Sequence, residues 1–451
     1  MFINRQLGEY ILLRRLAVGG QSEVFLAMKE GPDHFSRPLV IKALPTKYRH
    51  DPVFVELFYR EAFLSARFSH PNVITVHDAR ILRGEHCMIM DFIAGQTVAD
   101  IAQRGYKNGS PPTIKQTVQI VADACDGLHY THEFRDLDET RYSVVHRDVS
   151  PQNLMVTYQG VTKVFDFGIA KVQEKGEQHD TLAGGKYAYM SPEQCLDQPV
   201  DARSDVFSLG IILYELAAGR RLFRRGSKAD VIAAVTEEPI TPPSQFDPSF
   251  PEELEAIVMR SLARDPEARY QTAAQMRDDL LQFLSSRSNG RARHELGDYV
   301  AELFAAERAD IAQTVRRASQ GELQPKPLGN LPLEKLGRAD VEFTAEELEV
   351  PMPEPEEDSA LAAQLSSESD DQLAADGGQR TVTETAEVDR SLLQDAHKKN
   401  RRLVDEVTRL QRRQNLLIAL ICALALAAAG LTYYTQVQAN KKSEPIEIGS
   451  Q

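Results

Sequence analysis

Three polar residues follow short apolar runs near the middle of the chain and could act on one substrate. Asp148 and Asn153 lie five positions apart in HRDVSPQN, and Asp166 follows the apolar run VTKVF. Magnesium prefers hard oxygen ligands and keeps several waters, so two such side chains plus phosphate oxygens suffice to hold it. One acidic residue is then free to accept the proton of an attacking hydroxyl. The pattern predicts metal-assisted chemistry on a phosphate-bearing substrate.

A lysine in a predicted strand and a glutamate in a predicted helix form a second candidate pair. Lys42 lies in PLVIKAL, and Glu61 lies among apolar neighbours in a helix for which Asp51 and Pro52 suit the first positions. A strand lysine by itself is more often a solvated edge residue. A buried glutamate needs a cation, however, and a lysine directed at phosphate must be held in place. We therefore expect Lys42 and Glu61 to pair.

The first strands flank a turn that is rich in glycine. YILLRRLAV and EVFLAMKE are strand-like and enclose GGQS, and PLVIKAL follows as a third strand after GPDH. A hairpin with such a tip can lay backbone N–H groups over phosphates without obstruction by side chains. This signal is weak by itself, but it is consistent with a phosphate site beside Lys42.

The order of these motifs resembles the eukaryotic-like protein kinase family over residues 10–284. VIK, the helix glutamate, HRDxxxxN, DFG and SPE follow one another at suitable spacing, and the layout is most similar to the membrane-anchored bacterial Ser/Thr kinases. The resemblance implies an α+β, two-lobed fold with a small β-rich N-lobe and a larger helical C-lobe. It also implies ATP-dependent, Mg²⁺-dependent transfer of the γ-phosphoryl group to Ser/Thr hydroxyls of proteins, including the chain itself.

The resemblance also implies roles for single residues. Lys42 would bind the α- and β-phosphates and pair with Glu61, Asp148 would orient and deprotonate the substrate hydroxyl, and Asn153 and Asp166 would hold Mg²⁺. The family pattern expects glycine at Ala17, Gly19 and Ser22, of which only Gly19 is present. The remaining nucleotide contacts would be Leu16, Gly19, Val24, the gatekeeper Met90, and the hinge residues Asp91 to Ile93. Structural roles would fall to Asp205, which braces the catalytic loop, and to the buried pair Glu193 and Arg269.

Two positions depart from the family pattern in a related way. Ser150 stands where Ser/Thr kinases usually carry lysine, and Lys186 stands where they usually carry threonine, after Gly185. These positions face each other across the catalytic aspartate in the family fold. Our hypothesis is a reciprocal exchange that keeps a positive charge in the site, which makes Lys186 a third catalytic residue. Thr181, in the segment that the family uses for regulation, is the predicted autophosphorylation site.

Other readings of the same residues remain open. A pseudokinase that binds nucleotide and partners without catalysis is favoured by the altered glycine positions and by Ser150, and opposed by the presence of all five catalytic-type residues. Tyrosine specificity is a narrower alternative, because RDVSPQN lacks the lysine that is typical of Ser/Thr enzymes. In a third reading, the chain is a membrane-tethered scaffold whose acidic segment recruits basic partners.

The charge of the chain is unevenly distributed. The chain of 451 residues has a net charge of -14, but residues 339–389 hold 16 Asp or Glu and one basic residue, so the remainder is near +1. The acidity belongs to this segment and not to a binding surface, and it argues against a nucleic-acid partner, so none is expected. The four cysteines form no CxxC pair, which favours a reducing compartment. Because residues 322–389 are rich in Pro, Glu, Ser and Gln, they are predicted to be a disordered linker.

An apolar run near the end predicts a membrane span. Leu416 to Tyr434 are 19 uncharged residues, preceded by seven Lys or Arg between Lys398 and Arg413 and followed by Lys441 and Lys442. Such a helix can cross a bilayer, and the charge bias leaves the N-terminal part in the cytoplasm of a bacterial cell, at the inner membrane. The remaining predicted segments are a helical extension at 285–321, a basic juxtamembrane helix at 390–415 and a short extracytoplasmic tail at 435–451.

A heptad pattern before the span raises the question of dimerisation. Leu393, Asn400, Val407 and Gln414 fall at position a, and Ala396, Leu403, Leu410 and Leu417 fall at position d. A polar asparagine at position a is typical of a parallel dimer with fixed register. A homodimer through the juxtamembrane and transmembrane helices is one reading, and a single amphipathic helix on the lipid headgroups is the other.

Overall fold

The computed structural model describes residues 2–18, 22–30, 36–136, 139–167, 187–287, 290–323, 326–327 and 333, all within one unit that covers 1–357. The N-lobe is built on a sheet with strand order β10-β1-β2-β3-β4-β6-β5. Its pairs are antiparallel except for β1 with β10, which is parallel. The strands of this sheet are β1 (Phe2–Leu7), β2 (Tyr10–Val18), β3 (Glu23–Glu30), β4 (Ser36–Ala43), β5 (Val76–Leu82), β6 (Glu85–Asp91) and β10 (Lys326–Pro327).

The predicted strands around the glycine-rich turn are confirmed. YILLRRLAV is β2 and EVFLAMKE is β3, and β4 begins two residues earlier than predicted. The sequence analysis missed β1, which precedes the predicted start of the domain and pairs with β2. The missed strand carries only two residues of the N-lobe core, Ile3 and Leu7, so its apolar pattern is too short to be recognised.

Helix α1 packs against the N-lobe sheet and carries Glu61. It spans Pro52–Ser65, and the Asp51 side chain accepts hydrogen bonds from the backbone N–H groups of Val53 and Phe54 at its start. Aspartate at the N-cap and proline at the first position stabilise a helix beginning, so the predicted start is confirmed. Because the start is fixed, Glu61 falls on the buried face of the helix, where it is 7% exposed.

The C-lobe is mainly helical, which confirms the expected two-lobed α+β architecture. Its core is formed by apolar faces of the helices packed around the central helix α3. A small antiparallel sheet has the strand order β7-β8-β9. Its strand β8 begins directly after Asn153, and β9 ends two residues before Asp166. The elements are β7 (Gly95–Thr97), α2 (Val98–Lys107), α3 (Ile114–His132), β8 (Leu154–Thr157), β9 (Thr162–Val164), α4 (Pro192–Cys195), α5 (Ala202–Ala218), α6 (Lys228–Thr236), α7 (Glu252–Ser261) and α8 (Ala273–Arg287).

Two further helices follow the C-lobe and pack onto the rest of the domain. They are α9 (Ala292–Leu303) and α10 (Ala305–Ser319), which lie in the predicted helical extension. The predicted start of a disordered linker at 322 is too early. Leu323 and Leu333 are 9% and 2% exposed and pack in N-lobe clusters, and Lys326 pairs with Arg5 of β1. The polar composition of 322–389, taken as a whole, obscured these two buried leucines.

The predicted membrane span, Leu416–Tyr434, lies outside the described residues, as do the heptad pattern and most of the acidic segment. Within the part of the chain that the structure describes, no helix combines the length and the apolar character needed to cross a bilayer.

Candidate active site

Lys42 lies between two carboxylates in the cleft between the lobes. Its Nζ atom is 2.8 Å from Oε1 of Glu61, which confirms the predicted pair, and it also donates to Oδ1 of Asp166. The strand β4 supplies the lysine, α1 the glutamate, and the loop after β9 the aspartate. The Glu61 side chain is buried and that of Lys42 is 12% exposed, whereas the Asp166 side chain is 41% exposed. The contact therefore links both lobes and leaves one carboxylate accessible.

The two carboxylates keep Lys42 charged. Burial by itself would lower the pKa of the Lys42 ammonium, but the charges and hydrogen bonds of Asp166 and Glu61 outweigh it and raise the pKa above its ordinary value. A lysine so held is a fixed positive charge at neutral pH. It can bind an anionic group such as a phosphate that enters the cleft beside it.

Asp148 and Asn153 are joined by a short loop that ends in a 3-10 turn, Pro151–Asn153. The Nδ2 atom of Asn153 donates to both the backbone oxygen of Asp148, at 2.8 Å, and its Oδ2 atom, at 2.7 Å. These two bonds fix the orientation of the Asp148 carboxylate. They also leave the amide oxygen of Asn153 as the atom available to a ligand, because the nitrogen is already engaged.

The catalytic loop is held from below by Asp205, as the resemblance implies. Its carboxylate accepts the backbone N–H of His146 at 2.8 Å and that of Arg147 at 2.9 Å, and it is 2.7 Å from Nε2 of His132. Burial would raise the pKa of the Asp205 carboxyl, but the hydrogen bonds and charges around it, led by His132, lower it. A fixed anion beneath the loop therefore holds the backbone that carries Asp148.

Backbone strain is concentrated at two positions of this site. Arg147 has φ of 64° and Asp166 has φ of 61°, in the left-handed region that side chains other than glycine rarely adopt. Beside Asp166, Phe167 is 2% exposed and its ring lies 4.7 Å from His146 and 5.3 Å from Phe68, between ring centroids. This packing holds the strained Asp166 in place, and such strain is frequent at functional sites.

An apolar cluster lies beside Lys42 and Glu61, formed by residues of the N-lobe sheet and of α1. We call it the cleft cluster, and it includes four of the residues predicted to contact the nucleotide, namely Leu16, Val24, Met90 and Ile93. Its other members, which were not predicted as site residues one by one, include Val40 and Met155. Their signal is positional, since Val40 lies two residues before Lys42 on β4 and Met155 two residues after Asn153 on β8. An apolar slot beside a fixed cation suits a flat, aromatic base joined to phosphates.

The predicted hinge begins at the end of β6. Asp91 is the last residue of that strand, and its backbone N–H donates to the backbone oxygen of Thr75 at 3.0 Å. Its carboxylate pairs with Arg37 and lies 2.8 Å from Nε2 of His77, facing away from Lys42. The side chain and the backbone N–H of Asp91 therefore both anchor the strand end.

Three predicted site residues cannot be placed in this geometry. Gly19, Lys186 and Thr181 lie outside the described residues, so the glycine-rich turn, the reciprocal exchange and the phosphosite stay predictions. Ser150 is described, and it begins the 3-10 turn that leads to Asn153. The remaining predicted site residues fall into groups: Lys42 contacts Glu61 and Asp166, Asn153 contacts Asp148, and Asp91 ends β6. The cleft cluster contains Leu16, Val24, Met90 and Ile93.

A buried ion pair stabilises the C-lobe behind the catalytic loop. Two Arg269 nitrogens lie 2.7 and 2.8 Å from the two carboxylate oxygens of Glu193, and Ser204 donates to the same carboxylate. Burial would raise the pKa of the Glu193 carboxyl, but the bonds from Arg269 and Ser204 prevail and lower it from 4.5 to about 2. The predicted contact is confirmed.

The Glu193→Gln variant is expected to lose about 3–5 kcal/mol of unfolding free energy at pH 7, because it leaves the Arg269 charge buried without its partner. A carboxyl with a depressed folded pKa contributes stability above its unfolded pKa of 4.5 and loses it as pH falls towards about 2. The gap between wild type and variant should therefore narrow by roughly 1.4 kcal/mol for each pH unit below 4.5. Urea unfolding of both proteins at several pH values measures this difference in unfolding free energy.

The matched control for this prediction is Glu133→Gln, which breaks an exposed bidentate contact with Arg141. Exposed pairs contribute no more than about 1 kcal/mol. Equal losses in the two variants would contradict the assignment of Glu193 as a buried staple.

Comparison with known proteins agrees with this geometry. Residues 10–281 match the family described as protein kinase domain. The tyrosine-protein kinase MasK of Myxococcus xanthus is 38% identical over 302 residues, which are 67% of this chain and 47% of that protein. The serine/threonine-protein kinase PknB of Mycobacterium leprae is 38% identical over 277 residues, 60% of this chain and 42% of that protein. The chain thus spans about half the length of the curated relatives it matches.

Among solved structures, the kinase domain of Mycobacterium tuberculosis PknI is similar at 23% identity. It aligns with 63% of this chain and 99% of that domain, with a TM-score of 0.48.

Proposed function

Because the chain belongs to the protein kinase family, we propose that it transfers the γ-phosphoryl group of ATP to Ser/Thr hydroxyls of proteins, itself included. One observation carries the proposal. Lys42 contacts Glu61 and Asp166, and the Asp148–Asn153 loop is joined to the same place because the backbone N–H of Phe165, beside Asp166, donates to the backbone oxygen of Asn153 at 3.1 Å. A cation, two metal-type oxygens and a candidate base are the parts that phosphoryl transfer requires.

Each residue has a defined task in this proposal. Lys42, kept charged by Glu61, binds nucleotide phosphate oxygens, while the cleft cluster receives the adenine. The Asp148 carboxylate, oriented by Asn153, accepts the proton of the attacking hydroxyl and aligns that hydroxyl with the phosphorus. Positioning and electrostatic stabilisation supply most of the rate enhancement in such reactions.

The residues present fit a magnesium ion. The amide oxygen of Asn153 is available, since its nitrogen is bound to Asp148, and the Asp166 carboxylate is 41% exposed to the cleft. Amide and carboxylate oxygens are ligands that Mg²⁺ accepts, usually one or two from the protein. When bound, the ion neutralises negative charge on the phosphate oxygens.

The choice of acceptor rests on the sequence and on the relatives. PknB of Mycobacterium leprae is named a serine/threonine kinase and MasK of Myxococcus xanthus a tyrosine kinase, so the relatives point both ways. We propose Ser/Thr specificity with Lys186 in place of the usual catalytic-loop lysine, and tyrosine transfer is the second candidate because Ser150 replaces that lysine. The pseudokinase reading is less favoured, because Lys42, Asp148 and Asp166 are all present and assembled.

Phosphoamino-acid analysis of the purified full chain after incubation with Mg²⁺ and labelled ATP tests the acceptor. We expect phosphoserine and phosphothreonine, with Thr181 modified in the wild type and unmodified in Asp148→Asn, as mass spectrometry would report. Label on tyrosine alone would contradict Ser/Thr specificity. An unmodified Thr181 in the active enzyme would remove it as the regulatory site.

The Lys186→Ala variant is expected to lower turnover by roughly 10²-fold, because one positive charge beside the transferring phosphate is lost. If Ser150 and Lys186 have exchanged roles, the double variant Ser150→Lys with Lys186→Thr should recover most of that activity. Lys175→Ala removes a lysine from the same segment and serves as the matched control. Full turnover by Lys186→Ala in a steady-state kinase assay would rule the exchange out.

We also propose that the chain is anchored in the bacterial inner membrane through Leu416–Tyr434, with the kinase domain in the cytoplasm. The support is the 19-residue apolar run and the excess of Lys and Arg before it. A homodimer through the heptad segment would bring two kinase domains together for mutual phosphorylation. Membrane fractionation of the wild-type chain and of the double variant Leu420→Arg with Leu424→Arg tests this proposal. Equal partition of the two proteins into the membrane fraction would refute anchoring through this segment.

A further inference from the structure

Helix α9 is fixed to the C-lobe by buried apolar side chains, among them Leu296 and Val300, by polar contacts and by close backbone packing. Arg293 lies 2.7 Å from Oδ1 of Asp123, and the Tyr299 hydroxyl donates to the backbone oxygen of Ser110 at 2.7 Å. A Cβ placed on Gly160, where φ is +78°, would lie 1.8 Å from the backbone oxygen of Arg293. A side chain at position 160 would therefore displace the helix, so the turn between β8 and β9 is shaped to receive α9.

Helix α10 contacts both lobes within a single turn. Glu307 lies 2.6 Å from Nη1 of Arg104 on α2, in the C-lobe, and Asp310 pairs with Arg14 on β2, in the N-lobe. Three residues of helix advance about 4.5 Å along its axis. The boundary between the lobes is therefore crossed between these two ion pairs. We call α9, α10 and Leu323 the strap.

The apolar side of α10 packs on the N-lobe. Ile311, Val315 and Ala318 lie against a small cluster that Leu323 completes. No residue of α10 itself is fully buried, and an isolated helix of this length is marginal in water, so these contacts are what hold it in place. We call this group the strap cluster, and its N-lobe members are Ile11, Leu13, Leu26 and Met28.

Two residues connect the strap cluster with the nucleotide cleft. Among the described residues, Leu16 and Phe92 are the partly buried apolar side chains that pack against both the strap cluster and the cleft cluster. Leu16 lies on β2 and is a predicted nucleotide contact, and Phe92 lies in the hinge beside Asp91. A change in the seating of α10 therefore reaches the apolar slot through these two side chains.

We propose that Ile311 and Val315 are positioning residues for the nucleotide, acting through Leu16 and Phe92. By packing in the strap cluster, they fix the positions of Leu16 and Phe92, which also pack in the cleft cluster, and so they set the affinity for ATP. The inference deepens the proposed function and rests on it. It extends the nucleotide site to a helix that lies beyond the residues matched by the kinase family, 10–281.

The test uses the full chain with Ile311→Ala and Val315→Ala combined, because alanine keeps the helix while removing its apolar contact. The KM for ATP and the Kd for Mg²⁺–ADP should rise about three- to tenfold, and kcat at saturating ATP should change less than about twofold. Gln313→Ala, on the exposed face of the same helix, is the matched control and should leave all three unchanged. The double variant Ile311→Val with Val315→Ile, which conserves the total side-chain volume, should bind ATP with the affinity of the wild type.

Nucleotide affinity in the alanine pair equal to that of Gln313→Ala would overturn the proposal. Hydrogen exchange of β2 and of residues 91–93 gives a second readout that needs no activity. Faster exchange there in the alanine pair, but not in Gln313→Ala, supports the strap, and equal exchange contradicts it. A wild-type chain that binds no nucleotide would refute the proposed function, and the exchange comparison would still decide whether the strap holds the hinge.

Discussion

Replacing Asp148 by asparagine is expected to lower the rate of phosphoryl transfer by about 10²–10⁴-fold, the usual contribution of a general base. The substitution is nearly isosteric. Asn153 donates to Oδ2 of Asp148 at 2.7 Å, and an asparagine carbonyl can accept the same bond. The loop should keep its shape, so the loss would reflect the missing carboxylate. Steady-state kinetics with a generic protein substrate measures kcat and the KM for ATP separately.

The matched control for this variant is Asp278→Asn, which changes an exposed aspartate paired with Arg277 on α8. It should leave turnover and thermal stability unchanged. If Asp148→Asn is folded and keeps more than a tenth of wild-type kcat, Asp148 is not the base.

Replacing Lys42 by methionine should have the second large effect, a loss of at least about 10²-fold in turnover, the usual cost of removing one preorganised electrostatic contact. Methionine retains the length of the side chain but removes the ammonium that lies between Glu61 and Asp166. Two carboxylates then face the site with no cation between them, so nucleotide phosphates should bind poorly. Calorimetry with Mg²⁺–ADP should show the weakened binding directly.

Lys29→Met provides a close comparison, since Lys29 lies on the neighbouring strand and pairs with Glu9 at the surface. It should bind nucleotide like the wild type. Equal nucleotide affinity in Lys42→Met and Lys29→Met would contradict the role of Lys42, whatever the effect on turnover.

Local sequence was sufficient to predict a structural feature that depends on one element, or on the need of one buried charge for a partner. Asp51 and Pro52 define the start of α1, and the need of a buried glutamate for a cation predicted the contact of Glu61 with Lys42. Asp166 was predicted as a metal ligand, but its contact with Lys42 was not. That contact depends on a strained backbone at Asp166, with φ of 61°, which local sequence does not predict.

Contacts between distant parts of the chain could not be predicted in the same way. Gly160 resembles an ordinary turn glycine until α9 is seated against it, and Arg14 gives no sign of its partner Asp310, which lies 296 residues away. Leu323 and Leu333 stand in a stretch whose average composition indicates disorder. Single apolar residues that pack on a distant sheet form no periodic pattern in the sequence. The helices of the strap were therefore predicted, but their packing on the N-lobe was not.

Transfer of label from γ-labelled ATP to a generic protein by the purified full chain, with and without Mg²⁺, tests the central claim most directly. The claim is that Lys42, Asp148, Asn153 and Asp166 act together on one metal-bound nucleotide. We expect transfer that requires Mg²⁺ and disappears in Asp148→Asn while nucleotide binding persists. A folded wild-type chain that binds nucleotide but transfers no label under any of these conditions would contradict it.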